Sequence, residues 1–149
     1  MHRTVRLIVS GGIRSGADVA KALALGADAV SIGTAALIAL NCNAPVHVED
    51  YHALGTEPGS CHHCHTGRCP VGVATQEPDL EARLDVDAAT RRVRNYLSTL
   101  VLEAQTLARA CGKSHLLNLE PEDLAALTIE AAAMAGVPLA GTDWIPGKS

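Results

Sequence analysis

The chain contains no phenylalanine, one tryptophan and two tyrosines, so its apolar volume must come from alanine, leucine, valine and isoleucine. With 48% hydrophobic residues in a length of 149, it still has enough apolar material for one ordinary domain. Such Ala- and Gly-rich composition suits close helix–strand packing in an α/β protein. Basic excess is missing as well. The formal net charge of −4 gives no support for nucleic-acid binding, which usually leaves a basic footprint. No apolar run reaches about 18 residues, so no membrane span is expected. A basic n-region followed by an apolar stretch is absent, so no secretory signal is visible. The expectation is a soluble cytoplasmic protein, with an exported protein that has lost its leader as the alternative. There are no internal repeats, no low-complexity linker, no G-x-G-x-x-G dinucleotide fingerprint and no G-K-[ST] of a P-loop. Neither a Ser-His-Asp nor a paired-carboxylate arrangement is recognisable, so no catalytic acid or base is named.

Cysteine, by contrast, is concentrated. The stretch Cys61-His-His-Cys64-His-Thr-Gly-Arg-Cys69-Pro-Val-Gly-Val-Ala-Thr-Gln76 holds three of the five cysteines, and Cys42 ends an apolar run just upstream. Without a secretory signal, clustered thiols read as metal or cluster ligands rather than disulfides. Thiolates are the usual iron–sulfur ligands and also bind zinc. Electron transfer or a metal-stapled loop follows.

Around this stretch the chain is punctuated by glycine. Leu7-Ile-Val-Ser10 is a short β-branched run stopped by Gly11-Gly12, as in a buried parallel strand. Ser15 can cap a helix from about Ala17 to Leu25, with Gly26 at its end. Ala29 to Ile32 reads as a second strand ended by Gly33, and Thr34 as the cap of a helix to about Leu40. Strand, glycine loop, helix, repeated, is the grammar of parallel α/β units. From Asn41 to Gln76 no period holds, which predicts a long ordered loop. Pro78 to Leu84 reads as a short helix. Asp87 opens a long one whose apolar residues run from Val93 to Cys111, with Cys111 in the core and Arg91, Arg92 and Arg94 on an exposed face. Pro121 opens a last helix to about Ala135.

The loop Ser10-Gly-Gly-Ile-Arg-Ser-Gly16 lies between a strand and a helix. Its glycines permit positive φ and close backbone approach, and the helix N-terminus offers N–H groups and partial positive charge. A phosphate is the natural ligand, with plain turns as the alternative. Ile32-Gly33-Thr34 repeats the arrangement, and such a pair resembles the phosphate grip of the last two βα loops of a TIM barrel.

Together these residues resemble the FMN-binding domain of glutamate synthase. Ser10-Gly-Gly-Ile-Arg-Ser-Gly-Ala-Asp-Val-Ala-Lys-Ala22 is similar to that family's flavin-phosphate loop. Gly33-Thr-Ala-Ala-Leu-Ile-Ala-Leu40 is similar to the segment entering its iron–sulfur loop, and Cys64 to Gln76 to the end of that loop. The resemblance implies an α/β fold. Residues 1–40 would be the last two βα units of a TIM-barrel FMN domain, 41–76 a cysteine-rich iron–sulfur loop and 77–149 a helical C-terminal region. It implies FMN held by Ser10, Gly11, Gly12, Ile13, Gly33 and Thr34. Carried over by position, Cys42, Cys64 and Cys69 would bind a [3Fe-4S] cluster. This chain departs from the family spacing, because 21 residues separate Cys42 from Cys64. The insertion contains Cys61, which offers a fourth thiolate, so [4Fe-4S] stands beside [3Fe-4S]. In the complete enzyme the cluster passes electrons to FMN, which reduces 2-iminoglutarate, formed from 2-oxoglutarate and ammonia, to glutamate.

A full barrel needs eight βα units in about 250 residues, and only two are visible. The expectation is therefore a C-terminal fragment, from a truncated gene, a split gene or a mis-called start before the first strand. A partner chain or self-association would complete the barrel, and an electron-donor protein or subunit would feed it. The alternatives are a non-catalytic iron–sulfur module, a zinc site from Cys61, Cys64, Cys69 and a histidine, and an inactive remnant. Cys61-His-His-Cys64-His65 also fits the C-x-x-C-H haem-attachment pattern, which would require export.

Overall fold

The computed structural model describes residues 5–148, so the first residues of the reading above, Met1 to Thr4, lie outside it. Strand β1 (Ile8–Ser10) pairs in parallel with β2 (Ala29–Ser31), Ile8 opposite Ala29 and Ser10 opposite Ser31. Helix α1 (Gly16–Ala24) makes the crossover between them. There follow α2 (Thr34–Ala39), α3 (Val48–Ala53), α4 (Pro78–Glu81), α5 (Val86–Ala110) and α6 (Ile129–Ala135), with short 3-10 turns between. Helix and parallel strand alternate at the start, which is α/β in kind.

The chain divides into two compact units, one of residues 1–32 with 99–149 and one of residues 33–98. These units cut across the three segments read along the sequence.

In the first unit, α1 begins as its sequence directs. The Ser15 side chain accepts from the Asp18 N–H while Asp18 accepts from the Ser15 N–H, a reciprocal capping box. A small-residue core of Ala20, Ala24, Ala108 and Leu119 lies beneath it. Gly16 fits because it lacks a side chain: a Cβ there would meet the backbone of Leu100 and Ala104 on α5. An apolar content without phenylalanine thus becomes close backbone approach. On α5 the buried face is Leu100, Ala104 and Ala108, and Cys111 beyond its end is exposed. That corrects the core role expected of Cys111; the i, i+4 row of small residues, not the larger side chains, faces the packing.

The expected last helix from Pro121 to Ala135 is broken. Pro121–Asp123 is a single 3-10 turn, and Ala126 instead bridges Leu139, its N–H donating to Pro138 O at 2.8 Å and its carbonyl accepting from Ala140 N at 2.8 Å. Helix α6 then starts afresh, with Thr128 accepting from the Ala131 N–H. The sheet is bare on its outer strand. Leu7 is 50% and Ile8 66% exposed, although their pattern is that of a strand meant for burial.

In the second unit the expected structureless loop contains helix. Pro45–His47 forms a 3-10 turn leading into α3, and His63–Thr66 forms another. The core here is Ala44, Tyr51, Cys69 and Val71, with Cys61, Val73 and Ala74 packed against it. Asp85, not Asp87, accepts from the Ala88 N–H at the start of α5. Arg92, expected on an open face, donates to the carbonyls of Ala39 at 3.2 Å and Leu40 at 3.4 Å and so closes the end of α2.

Candidate functional site

The glycine loop after β1 presents backbone donors. Gly11 and Gly12 take φ of +98° and +72°, conformations only glycine adopts cheaply. Nothing lies within 4 Å of where their Cβ atoms would be, so the space above the loop is open. Among the described residues the N–H groups of Gly11, Gly12 and Ile13 have no acceptor. The next three N–H groups are taken. Those of Arg14 and Ser15 donate to Asp18 Oδ2 at 3.1 and 3.2 Å, and that of Gly16 donates to Glu103 Oε2 at 2.7 Å. The N-terminus of α1, expected to receive an anion, is thus filled by two carboxylates of the protein itself. The capacity left for a phosphate is the loop Gly11–Gly12–Ile13. Ser10 is exposed at the end of β1. Asp18 is held down to about 2, chiefly by the hydrogen bond from Lys21 and then by the Arg14 N–H, so it stays ionised at that helix end.

The second glycine loop differs in detail from its expected form. Gly33 occupies the N-cap of α2 with no side-chain cap, and Thr34 is the first helical residue, exposed. Its hydroxyl is not spent on the helix.

The four cysteines named from the sequence all fall in the unit of residues 33–98. Cys69 is buried, Cys42 and Cys61 are half-buried and Cys64 is exposed. Burial raises the Cys42 thiol above its ordinary acidity constant, and the charges of Cys64, Cys69 and Cys61 raise it further. That mutual influence places the four in one neighbourhood. Among the described residues no three His, Cys, Asp or Glu side chains converge as ligands of one metal ion. Around a single zinc, thiolates at about 2.3 Å from the metal lie about 3.8 Å apart by tetrahedral geometry, whereas a cluster gives each thiolate its own iron and spreads them. The donor set therefore fits an iron–sulfur cluster and lacks the convergence a mononuclear zinc site needs. His65 Nδ1 lies 3.1 Å from the His62 carbonyl and His52 pairs with Glu57, so these rings serve the loop.

Two residues of the site gave no signal of their role in the sequence. Tyr51 is 1% exposed and donates its hydroxyl to the Cys42 carbonyl. Burial first, then the nearby thiolates, push its phenol up to about 12. Arg83 binds Asp50 Oδ2 at 2.7 Å and the Pro70 carbonyl at 2.8 Å, tying α3 to the residue after Cys69. An aromatic in an otherwise polar insertion was the available hint for Tyr51.

Comparison with known proteins agrees with this site. A family model described as "Conserved region in glutamate synthase" matches residues 1–114. A "Glutamate synthase large subunit-like protein" of Rhizobium meliloti is 67% identical over 148 residues, covering 99% of this chain and 34% of its own length. An "Archaeal glutamate synthase [NADPH]" of Methanocaldococcus jannaschii is 43% identical over 112 residues, 75% of this chain and 19% of its own. A "Ferredoxin-dependent glutamate synthase" of Cyanidium caldarium is 34% identical over 127 residues, 79% of this chain and 7% of its own. The chain thus spans about a third or less of these curated relatives. No solved structure matches it. Among the described residues no helix is long and apolar enough to cross a membrane. With most of its length inside the conserved region, the chain belongs to the glutamate synthase family.

Proposed function

We propose that the chain is the flavin-phosphate and iron–sulfur portion of a glutamate synthase-like oxidoreductase that reduces 2-iminoglutarate, from 2-oxoglutarate and ammonia, to glutamate. The observation that carries this is the gathering of Cys42, Cys61, Cys64 and Cys69 in one unit of a chain of this family. Residues 1–40 act as the last two βα units of a TIM barrel, 41–76 as the cluster loop and 77–149 as a helical region. The exposed Leu7 and Ile8 on β1 support this, since a barrel strand expects a neighbour there.

When bound, FMN supplies the hydride chemistry and the cluster the electrons. The residues of this chain hold and orient. Gly11, Gly12 and Ile13 direct N–H groups to the flavin phosphate, with Ser10 and Thr34 adding hydroxyls and Gly33 close approach. Cys42, Cys61, Cys64 and Cys69 bind the cluster, [4Fe-4S] with all four or [3Fe-4S] with Cys42, Cys64 and Cys69. The remaining βα units come from another polypeptide or a second copy, which also brings the substrate contacts. Relatives named for NADPH and for ferredoxin point to an electron-donor protein or subunit. A cytoplasmic setting suits five unpaired cysteines.

Anaerobic purification with absorbance, iron and sulfide analysis tests the reading. Iron and acid-labile sulfide are expected in the chain alone, and flavin only once the remaining units are present. A chain that takes up neither iron nor sulfide after anaerobic reconstitution contradicts the proposal.

A further inference from the structure

We infer that Tyr51 is a positioning residue for the thiol set, closing the segment between Cys42 and Cys61 over Cys42 and Cys69. Its purpose rests on the cluster reading above; its content rests on geometry. Tyr51 lies on α3, within the stretch that gives this chain its wide cysteine spacing. Its hydroxyl donates to the Cys42 carbonyl, to which no other described residue donates. Its ring packs with Ala44, Cys69 and Val71. One side chain therefore touches both ends of the cysteine set.

The backbone explains why a tyrosine is needed. Asn41 has φ of +78°, and it is the residue immediately before Cys42. The chain turns sharply there, and the Cys42 carbonyl leaves the helical ladder of α2 without a backbone partner. A buried tyrosine brings both the volume to fill the space and the donor to satisfy that oxygen. A second tie fixes the same helix from outside: Asp50, next to Tyr51, binds Arg83, which also holds the carbonyl of Pro70, next to Cys69. Partners that orient metal ligands in this way commonly change metal retention when removed, and hydrogen bonding and solvent exposure tune iron–sulfur sites.

The test uses the full chain as wild type, Tyr51→Phe, Tyr51→Ala and the remote exposed control Leu117→Ala. In the reduced metal-free chain, alkylation is followed cysteine by cysteine by peptide mass spectrometry. Loss of the hydroxyl alone, in Tyr51→Phe, is expected to speed labelling of Cys42 and Cys69 roughly two- to tenfold. Cys111 should stay at its wild-type rate in every variant. After anaerobic reconstitution with iron and sulfide, Tyr51→Phe is expected to release iron to a chelator roughly tenfold faster, and Tyr51→Ala faster still. Should Tyr51→Ala lose its helical circular dichroism, Tyr51→Phe, which keeps the ring, decides. A folded Tyr51→Phe with wild-type labelling at Cys42 and Cys69, or with wild-type iron release, overturns the inference. Failure of the wild type to bind iron and sulfide overturns the cluster reading instead, and labelling still decides the part Tyr51 plays.

Discussion

Replacing Gly72 by alanine separates two costs that the structure assigns to one residue. Gly72 closes the turn after Cys69 with φ of +78°. A Cβ on it would run into the Leu80 carbonyl and come within 3.1 Å of the Glu81 carbonyl and 3.2 Å of the Leu84 nitrogen. These are backbone atoms of α4 and its exit, so none can swing aside. Gly67, two residues before Cys69, has nearly the same φ of +73° but nothing within 4 Å of its Cβ position. Gly67→Ala therefore meets only the left-handed penalty, about 1–2 kcal/mol. Gly72→Ala adds overpacking of about 1–3 kcal/mol, for a sum of about 2–5 kcal/mol. Against a total stability of about 5–15 kcal/mol, the second variant approaches unfolding and the first does not. Urea denaturation followed by circular dichroism measures both. Equal midpoints for the two variants would refute the reasoning, because the contact that distinguishes them would then cost nothing.

Arg83→Ala should destabilise the residue 33–98 unit by about 1–2 kcal/mol through the lost charged hydrogen bond to the Pro70 carbonyl, and Arg83→Lys should recover only part of the urea midpoint. Thr128→Ala removes the side-chain cap of α6 and should cost about 1 kcal/mol in thermal denaturation. Asp18 contributes stability that is complete above its unfolded value near 3.8 and is lost as the pH falls towards its folded value of about 2. Asp18→Asn should accordingly flatten the drop in urea midpoint between pH 4 and 2, and an unchanged drop would remove Asp18 from the cause.

What the sequence made legible was local. The two strands stop at glycine, and the Ser15–Asp18 capping box lies within four residues, so each could be read from its own neighbourhood. The four thiols were legible for a chemical reason: clustered cysteine has few other uses in a reducing compartment. What was hidden depended on distant partners. Nothing near Glu103 says that its carboxylate meets the Gly16 N–H. Nothing near Arg83 says that it joins Asp50 to Pro70. The face of α5 was misread at Cys111 because apolar periodicity ranks side chains by size. The packing selected Ala104 and Ala108, where α1 comes close. The last helix failed because Ala126 found a backbone partner at Pro138 and Ala140, a choice helix propensity does not register.

The account turns on the thiols, and anaerobic reconstitution with iron and sulfide of the wild type, Cys69→Ser and Cys111→Ser tests it most directly. The expected result is iron with acid-labile sulfide in the wild type and in Cys111→Ser, and loss of both in Cys69→Ser. Zinc without sulfide in the wild type, or equal cluster content in all three proteins, would contradict it.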